Sequence, residues 1–249
     1  MIEIKNITRK LGNFGLKDVS FTIKKGSVVA FVGDNGAGKT TTIKALFGEL
    51  KLDSGEVLID GENLFKNNNL SKVAFFPDSN NVPLDIKVHE YLHYICAANN
   101  MNKERTELSI DNVYRLLELR PYKDKKIKQL SSGWKKKAIM ASVLVRSPEY
   151  IIFDEPTANV DVESKLYFMN IFKLLSKVGI TILITSHIIE ELQELANYLV
   201  LIKKGQIVYA NDFDRKKEHI MDVYKRHMNE PIKDLHILRD LYKNKKERE

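Results

Sequence analysis

One cysteine, Cys96, stands in an apolar stretch of this 249-residue chain, which excludes an internal disulfide framework and fits a reducing compartment. Long hydrophobic runs are missing too. The longest, at residues 180–185 and 198–202, fall far short of the ~20 apolar residues that a membrane-spanning helix needs. The opening Met1-Ile2-Glu3-Ile4-Lys5 has no signal-peptide organisation, and the chain carries no internal repeat or low-complexity tract. Nor does charge of one sign dominate. A net +7, with lysines and acids interspersed, singles out neither nucleic acid nor an anionic membrane surface as a partner. What is present is an ordinary globular composition, 43% hydrophobic and 29% charged, able to bury a full core as one large domain or two small ones. Together these features predict a soluble, cytoplasmic chain.

The most informative stretch is Gly33-Asp34-Asn35-Gly36-Ala37-Gly38-Lys39-Thr40-Thr41. The apolar run Val28-Val29-Ala30-Phe31-Val32 before it reads as a buried strand, and Ile43-Lys44-Ala45-Leu46-Phe47 after it reads as a helix. Four residues separate the first glycine from Gly38-Lys39-Thr40, the P-loop spacing in its strand–loop–helix context. Glycines let backbone N–H groups curl toward phosphate oxygens, and the following helix adds roughly half a positive charge at its N-terminus. Lys39 is suited to the β- and γ-phosphates and the Thr40 hydroxyl to Mg²⁺. The residues imply a nucleoside-triphosphate site.

Taken in order, the chain opens with period-two strands around Ile2-Glu3-Ile4 and at 19–23, and Glu56-Val57-Leu58-Ile59 is a further short strand between turn pairs. A helical pattern covers 88–119. Residues 150–153 and 181–184 are short apolar runs typical of buried parallel strands, and a helix at 162–176 separates them. Residues 199–202 and 206–208 flank Lys204-Gly205 as a closing hairpin. From 211 to 249 the chain is densely charged, and Ile232, Leu235, Leu238 and Leu241 recur there at helical spacing.

Further motifs narrow the function. Ile151-Ile152-Phe153-Asp154-Glu155 ends a strand in two carboxylates, Asp154 placed to hold Mg²⁺ or its water and Glu155 to polarise an attacking water. Leu130-Ser131-Ser132-Gly133-Trp134 precedes a predicted helix from Lys135 to Arg146. Here the chain resembles the nucleotide-binding subunit of an ABC transporter. LSSGW resembles the family signature LSGGQ, Pro156-Thr157-Ala158-Asn159-Val160-Asp161 resembles its D-loop, and Ile184-Thr185-Ser186-His187 resembles the switch that ends a strand in histidine. Residues 79–92 resemble the segment leading into the helical subdomain.

The resemblance covers residues 1 to about 210. It implies an α/β P-loop NTPase of ABC type, with a mixed core sheet, an antiparallel β subdomain and a helical subdomain at about 80–145, followed by a charged extension at 211–249. It implies Mg²⁺-dependent ATP hydrolysis and two such subunits, a homodimer or heterodimer, clamping ATP between the P-loop of one and the signature of the other. The implied nucleotide contacts are Gly33, Asn35, Gly36, Ala37, Gly38, Lys39, Thr40, Thr41, Ser131 and Gly133. Glu155 would be the general base, and His187 would contact the γ-phosphate and the attacking water.

Four places depart from the family pattern. Asp78 stands at the Q-loop glutamine, where a carboxylate can still ligate Mg²⁺ with shorter reach. Ser132 and Trp134 replace glycine and glutamine in the signature. Leu11 stands where an aromatic stacks on adenine; Phe14 is either its substitute or a hairpin aromatic. Asp34 lies within the P-loop, its side chain expected to point away from phosphate.

His89-Glu90-Tyr91-Leu92-His93 matches H-E-x-x-H, which on a helix can present two imidazoles to zinc, but no third ligand can be assigned and the ATPase motifs would go unexplained. Lys135-Lys136-Lys137 beside Trp134 resembles a nucleic-acid patch and reads better as a solvated helix face. An ABC-type ATPase acting on nucleic acid or ribosomes is the serious alternative. The coiled-coil arms of the chromosome relatives and the second ATPase domain of the ribosomal ones are both missing between Lys39 and Asp154 and beyond. The expected partner is a separate membrane-spanning permease subunit docking near residues 75–100, with this chain peripheral on the inner face of the cell membrane. The run GAGKTTTIK and the short tail resemble the exporter group more than an importer ATPase.

Overall fold

The structure, a computed structural model, describes residues 1–77, 81–186 and 188–228. Its centre is strand β3 (Val28–Val32), whose five residues are all apolar and buried. Val28, Ala30 and Val32 face one apolar cluster and Val29 and Phe31 the other. A strand covered on both faces reads as a continuous hydrophobic run, and β7 (Tyr150–Asp154) and β8 (Thr181–Thr185) follow the same rule. With β6 (Val73–Phe76), β9 (Tyr198–Lys203) and β10 (Gln206–Asp212) they form a six-stranded sheet of order β10-β9-β3-β8-β7-β6. All neighbours are parallel except the β9–β10 hairpin at one edge.

The sequence reading contains no strand at β6. Its four residues are too few to show a period, and its partner β7 lies far away in sequence, pairing Val73 with Tyr150 and Phe76 with Phe153.

A second sheet, wholly antiparallel, has the order β2-β1-β4-β5, built from β1 (Ile2–Leu11), β2 (Phe14–Ile23), β4 (Ser54–Ile59) and β5 (Glu62–Asn63). Ile2, Ile4, Ile23 and Ile59 turn inward and meet Phe31, Ile152 and Leu183 of the large sheet. Helix α1 (Lys39–Leu46) contributes Ile43, Ala45 and Leu46 to that layer.

The other face carries the remaining helices. The pattern over 88–119 divides into α2 (Val88–Ala98) and α3 (Lys103–Leu117) because Asn102 caps the second, accepting the Arg105 N–H at 2.8 Å, while Asn100 takes a left-handed φ of 54°. α4 (Ser132–Leu144) packs with α2 and α3 and against β6. It begins three residues earlier than Lys135, since Ser131 serves as its N-cap. α5 (Val162–Lys177) starts at its cap Asp161, whose carboxylate accepts the Ser164 N–H at 2.8 Å and is held below the usual carboxyl range by that bond. Its residues Phe168 and Phe172 pack fully buried with Phe153, rings 4.7 Å apart for Phe153 and Phe172, each contributing roughly 1.5–3 kcal/mol.

α6 (Ile189–Leu195) and α7 (Ile220–Met228) complete the layer. The region after 210 therefore begins inside β10 and turns Ile220, Val223 and Met228 into the core. Ile232, Leu235, Leu238 and Leu241 lie outside the described residues.

Candidate functional site

After β3 the chain turns back on itself through residues 33–38 before α1 begins. Gly38 takes a φ of 115°, and a Cβ there would sit 3.1 Å from the Phe14 ring and 3.2 Å from Ile202, so only glycine fits. The Ala37 N–H closes the turn on the Asp34 carbonyl at 3.0 Å, and the Gly205 N–H ties it to the β9–β10 hairpin through the Ala37 carbonyl at 2.8 Å. Lys39 is buried beneath this loop, its ammonium donating to the carbonyls of Gly33 at 2.7 Å and Asp34 at 3.2 Å. Asn35, Gly36 and Thr40 are exposed, Thr41 is half-buried, and the start of α1 adds its positive dipole end.

The tips of three elements meet beside this loop. The Thr40 hydroxyl at the start of α1 donates to Asp154 Oδ2 at the end of β7, 2.8 Å away. Thr185, the last residue of β8, donates to Asp154 Oδ1 at 2.6 Å and accepts the Glu155 N–H at 3.0 Å. Thr185 is fully buried, so one hydroxyl fixes both the carboxylate and the residue after it. Glu155 has a left-handed φ of 50°, which costs a non-glycine residue on the order of 1–3 kcal/mol and places its carboxylate at the strand tip. Thr40, Asp154 and Glu155 line a cleft of about 870 Å³ with Phe75, Pro77 and Lys136.

The Thr40–Asp154 pair fits a magnesium ion. Both donors are hard oxygens, and adjacent ligands of an octahedral Mg²⁺ lie roughly 2.9 Å apart, close to the 2.8 Å observed.

A second cavity, of about 650 Å³, opens on the other side of the loop, between Phe14, Asp34, Gly36, Lys204 and Tyr224. Phe14 is half-buried, packing on the antiparallel-sheet core while edging this cavity, so it serves the hairpin and borders the loop at once. The Asp34 carboxylate turns to Tyr224, away from Lys39.

Of the signature, Ser132 lines the cleft with Lys136 and Asp154, while Ser131 and Gly133 line neither cavity. Ser131 accepts the Trp134 N–H at 3.4 Å. Gly133 is buried against α5, where a Cβ would lie 2.2 Å from Ser164 Oγ, so a side chain there would turn Ser164 from its bond to Asp161 or push α4 and α5 apart. Trp134 packs inward on Tyr122, ring centroids 4.2 Å apart.

The lysine run is not the solvated face expected of it. Lys136 is buried and donates to the D-loop carbonyls of Pro156, at 2.7 Å, and Ala158. Lys137 is buried with its ammonium 4.3 Å from the Trp134 ring centroid and 3.7 Å from that of Tyr167. A charge run says nothing of neighbours that fold in from elsewhere, and here aromatic faces and loop carbonyls supply the partners.

The H-E-x-x-H residues form no metal centre. His89 Nδ1 lies 3.2 Å from the Tyr114 hydroxyl, His93 pairs with Glu107 at 3.8 Å, and Glu90 accepts the Lys87 N–H at the start of α2. Among the described residues no group of three or more His, Cys, Asp or Glu side chains is placed to hold a metal. Asp78 and His187 lie outside the described residues.

Sequence reasoning assigned no role to Thr185, Lys136 or Glu191. Glu191 is buried on α6 and accepts the Thr157 hydroxyl at 2.7 Å, joining the D-loop to the end of β8. A glutamate in a short amphipathic helix carries no sequence signal of this. Thr185 had one, its place at the end of a buried strand beside the candidate switch histidine.

The family model described as "ABC transporter" matches residues 16–158. An ABC transporter ATP-binding protein of Mycoplasma pneumoniae is 31% identical over 84% of this chain and 66% of its own length, so the chain spans just under two thirds of that relative. The zinc import ATP-binding protein ZnuC of Rickettsia bellii is 35% identical over 75% of this chain and 76% of its own. The SkfA peptide export ATP-binding protein SkfE of Bacillus subtilis is 29% identical over 88% of this chain and 93% of its own. In fold, the chain is similar to a solved ATP-binding subunit of an ABC transporter, with a TM-score of 0.82 over 92% of this chain and all of that one at 22% identity.

Proposed function

The chain belongs to the ABC transporter family, as an ATP-binding subunit, and from that premise we propose that it hydrolyses ATP with Mg²⁺ to drive transport through a separate permease subunit. The observation that carries the reading is the junction of Thr40, Asp154 and Thr185, which brings P-loop, strand-end carboxylate and switch strand within hydrogen-bond reach. Lys39 and the amides of the loop and of α1 bind the β- and γ-phosphates. Thr40 and Asp154 would hold the magnesium ion, which when bound neutralises charge on the phosphate oxygens. Glu155 accepts a proton from the attacking water, and phosphoryl transfer asks little more than such positioning. Asp78 and His187 are proposed to complete the shell, as metal ligand and γ-phosphate contact.

A working dimer is proposed in which Ser131, exposed at the start of α4, and Gly133 beside it face the ATP of a second subunit. The stretch near residues 75–100 is the proposed docking side for the permease. Tyr94 on α2, within that stretch, is 62% exposed. No helix among the described residues is long and apolar enough to cross a membrane, so passage of substrate is assigned to that partner at the inner face of the cell membrane. The run GAGKTTTIK favours export. The relatives include one named for export and one for import, so direction is to be read from substrate movement in inverted membrane vesicles.

The test is Mg²⁺-dependent ATP hydrolysis by the purified chain across protein concentrations, with Glu155→Gln as control. Specific activity should rise with concentration and fall at least ~100-fold in the variant, with ATP binding retained. A wild-type chain that fails to bind ATP refutes the proposal.

A further inference from the structure

Helix α7 is held at both ends. At its start the Ile220 N–H donates to Gln193 Oε1 at 2.7 Å. At its end the Lys203 ammonium donates to the Met228 carbonyl at 3.1 Å, where the helix dipole is negative. Ile220, Val223 and Met228 are buried between these anchors, and the His227 ring lies 5.0 Å from that of Tyr209. This seating brings Tyr224 to the mouth of the P-loop, where its hydroxyl donates to Asp34 Oδ1 and its ring borders the same cavity as Phe14.

Asp34 is an awkward residue for a phosphate-binding loop. Its carboxylate follows Gly33 directly, and a free negative charge there opposes a triphosphate. Its two polar ends are sorted by their partners: the backbone carbonyl accepts from Lys39, and the carboxylate accepts from Tyr224.

We infer that Tyr224 is a positioning residue of the nucleotide site, holding the Asp34 carboxylate off the phosphates and making α7 a working part of ATP binding. The inference rests on the ATP-binding reading above. The Tyr224 phenol, pushed up to about 12 by burial and then by the Asp34 contact, is protonated at neutral pH as any tyrosine is, and so is available to donate. By linkage, ATP bound at the loop also steadies α7, so the C-terminal segment reports on the nucleotide site.

The experiment is a double-mutant cycle on the full chain, with ATP dissociation constants measured by titration calorimetry at fixed salt. Tyr224→Phe keeps the ring and releases Asp34, and should weaken ATP on the order of tenfold at low salt, with the loss shrinking as salt screens it. Asp34→Asn should bind at least as tightly as wild type. The double variant should match Asp34→Asn within about twofold, because a neutral side chain needs no restraint. A Tyr224→Phe chain within twofold of wild type overturns the inference, as does a double variant as weak as Tyr224→Phe alone. Wild-type binding is read first. Its absence defeats the ATP-binding reading, while its presence with no coupling between the two substitutions defeats only the role of Tyr224.

Discussion

Replacing Thr185 by valine keeps the shape of a fully buried side chain and removes one hydroxyl that bridges Asp154 and the Glu155 N–H. The bond to the Asp154 carboxylate has a charged acceptor, and bonds of that kind contribute about 1.5–3 kcal/mol. The neutral bond from the Glu155 N–H adds about 0.5–1.5 kcal/mol. The sum, taken low because the strand tip is half-open, is about 2–3 kcal/mol. For a chain of this size that lowers the melting temperature by roughly 4–12 °C. Catalysis should suffer more. Asp154 loses the partner on Oδ1, and Glu155, already at an uncommon φ of 50°, loses the bond that fixes its backbone. A displacement on the order of 1 Å costs about 100-fold in rate, so kcat should fall by about 10- to 100-fold. ATP affinity should hold within about threefold, since Lys39 and the loop amides are untouched. Scanning calorimetry and steady-state hydrolysis check the two numbers on one preparation. Thr185→Ser restores the hydroxyl and should recover most of the rate. A Thr185→Val enzyme with hydrolysis within twofold of wild type and an unchanged melting temperature would refute the bridge.

Other outcomes follow from the same geometry. Lys136→Met keeps the buried stem but leaves the Pro156 and Ala158 carbonyls without the ammonium, and should cost about 1–3 kcal/mol in a denaturant titration, with hydrolysis falling at unchanged ATP affinity. Equal loss of binding and rate would show that the lysine does more than hold the D-loop. Alkaline stability should decline in a defined window: burial pushes Tyr150, Tyr167 and Tyr224 each up to about 12. The unfolded phenols titrate near ~10, so between about pH 10 and 12 the folded chain binds more protons than the unfolded one. The stabilisation is whole below ~10 and is lost as pH rises through 12, and Tyr167→Phe should flatten a plot of unfolding free energy against pH there. His89→Ala or His93→Ala should leave ATP hydrolysis within about twofold, since both histidines lie on α2 away from the Thr40–Asp154 junction.

The sequence by itself determined whatever depends on neighbours in the chain. Gly38 and Lys39 stand at a spacing set by the backbone of one turn, and the central residues of β3, β7 and β8 are apolar runs because both faces are covered. The caps Asn102 and Asp161 act through bonds only three residues long, yet the apolar period over 88–119 runs past Asn102 without showing the break there. Only the tertiary structure decided what depends on distant segments. β6 is a strand because β7 pairs with it, and Lys136 and Lys137 leave solvent because the D-loop and Tyr167 arrive beside them. Thr185 bridges two carboxylate residues because the β7 and β8 tips end in register. Tyr224 reaches Asp34 from the other end of the chain because Ile220, Val223 and Met228 must be buried, and burying them turns one tyrosine toward the loop. A periodic pattern states which face of a helix is apolar; the residue at the end of its other face is chosen by whatever the apolar face packs against.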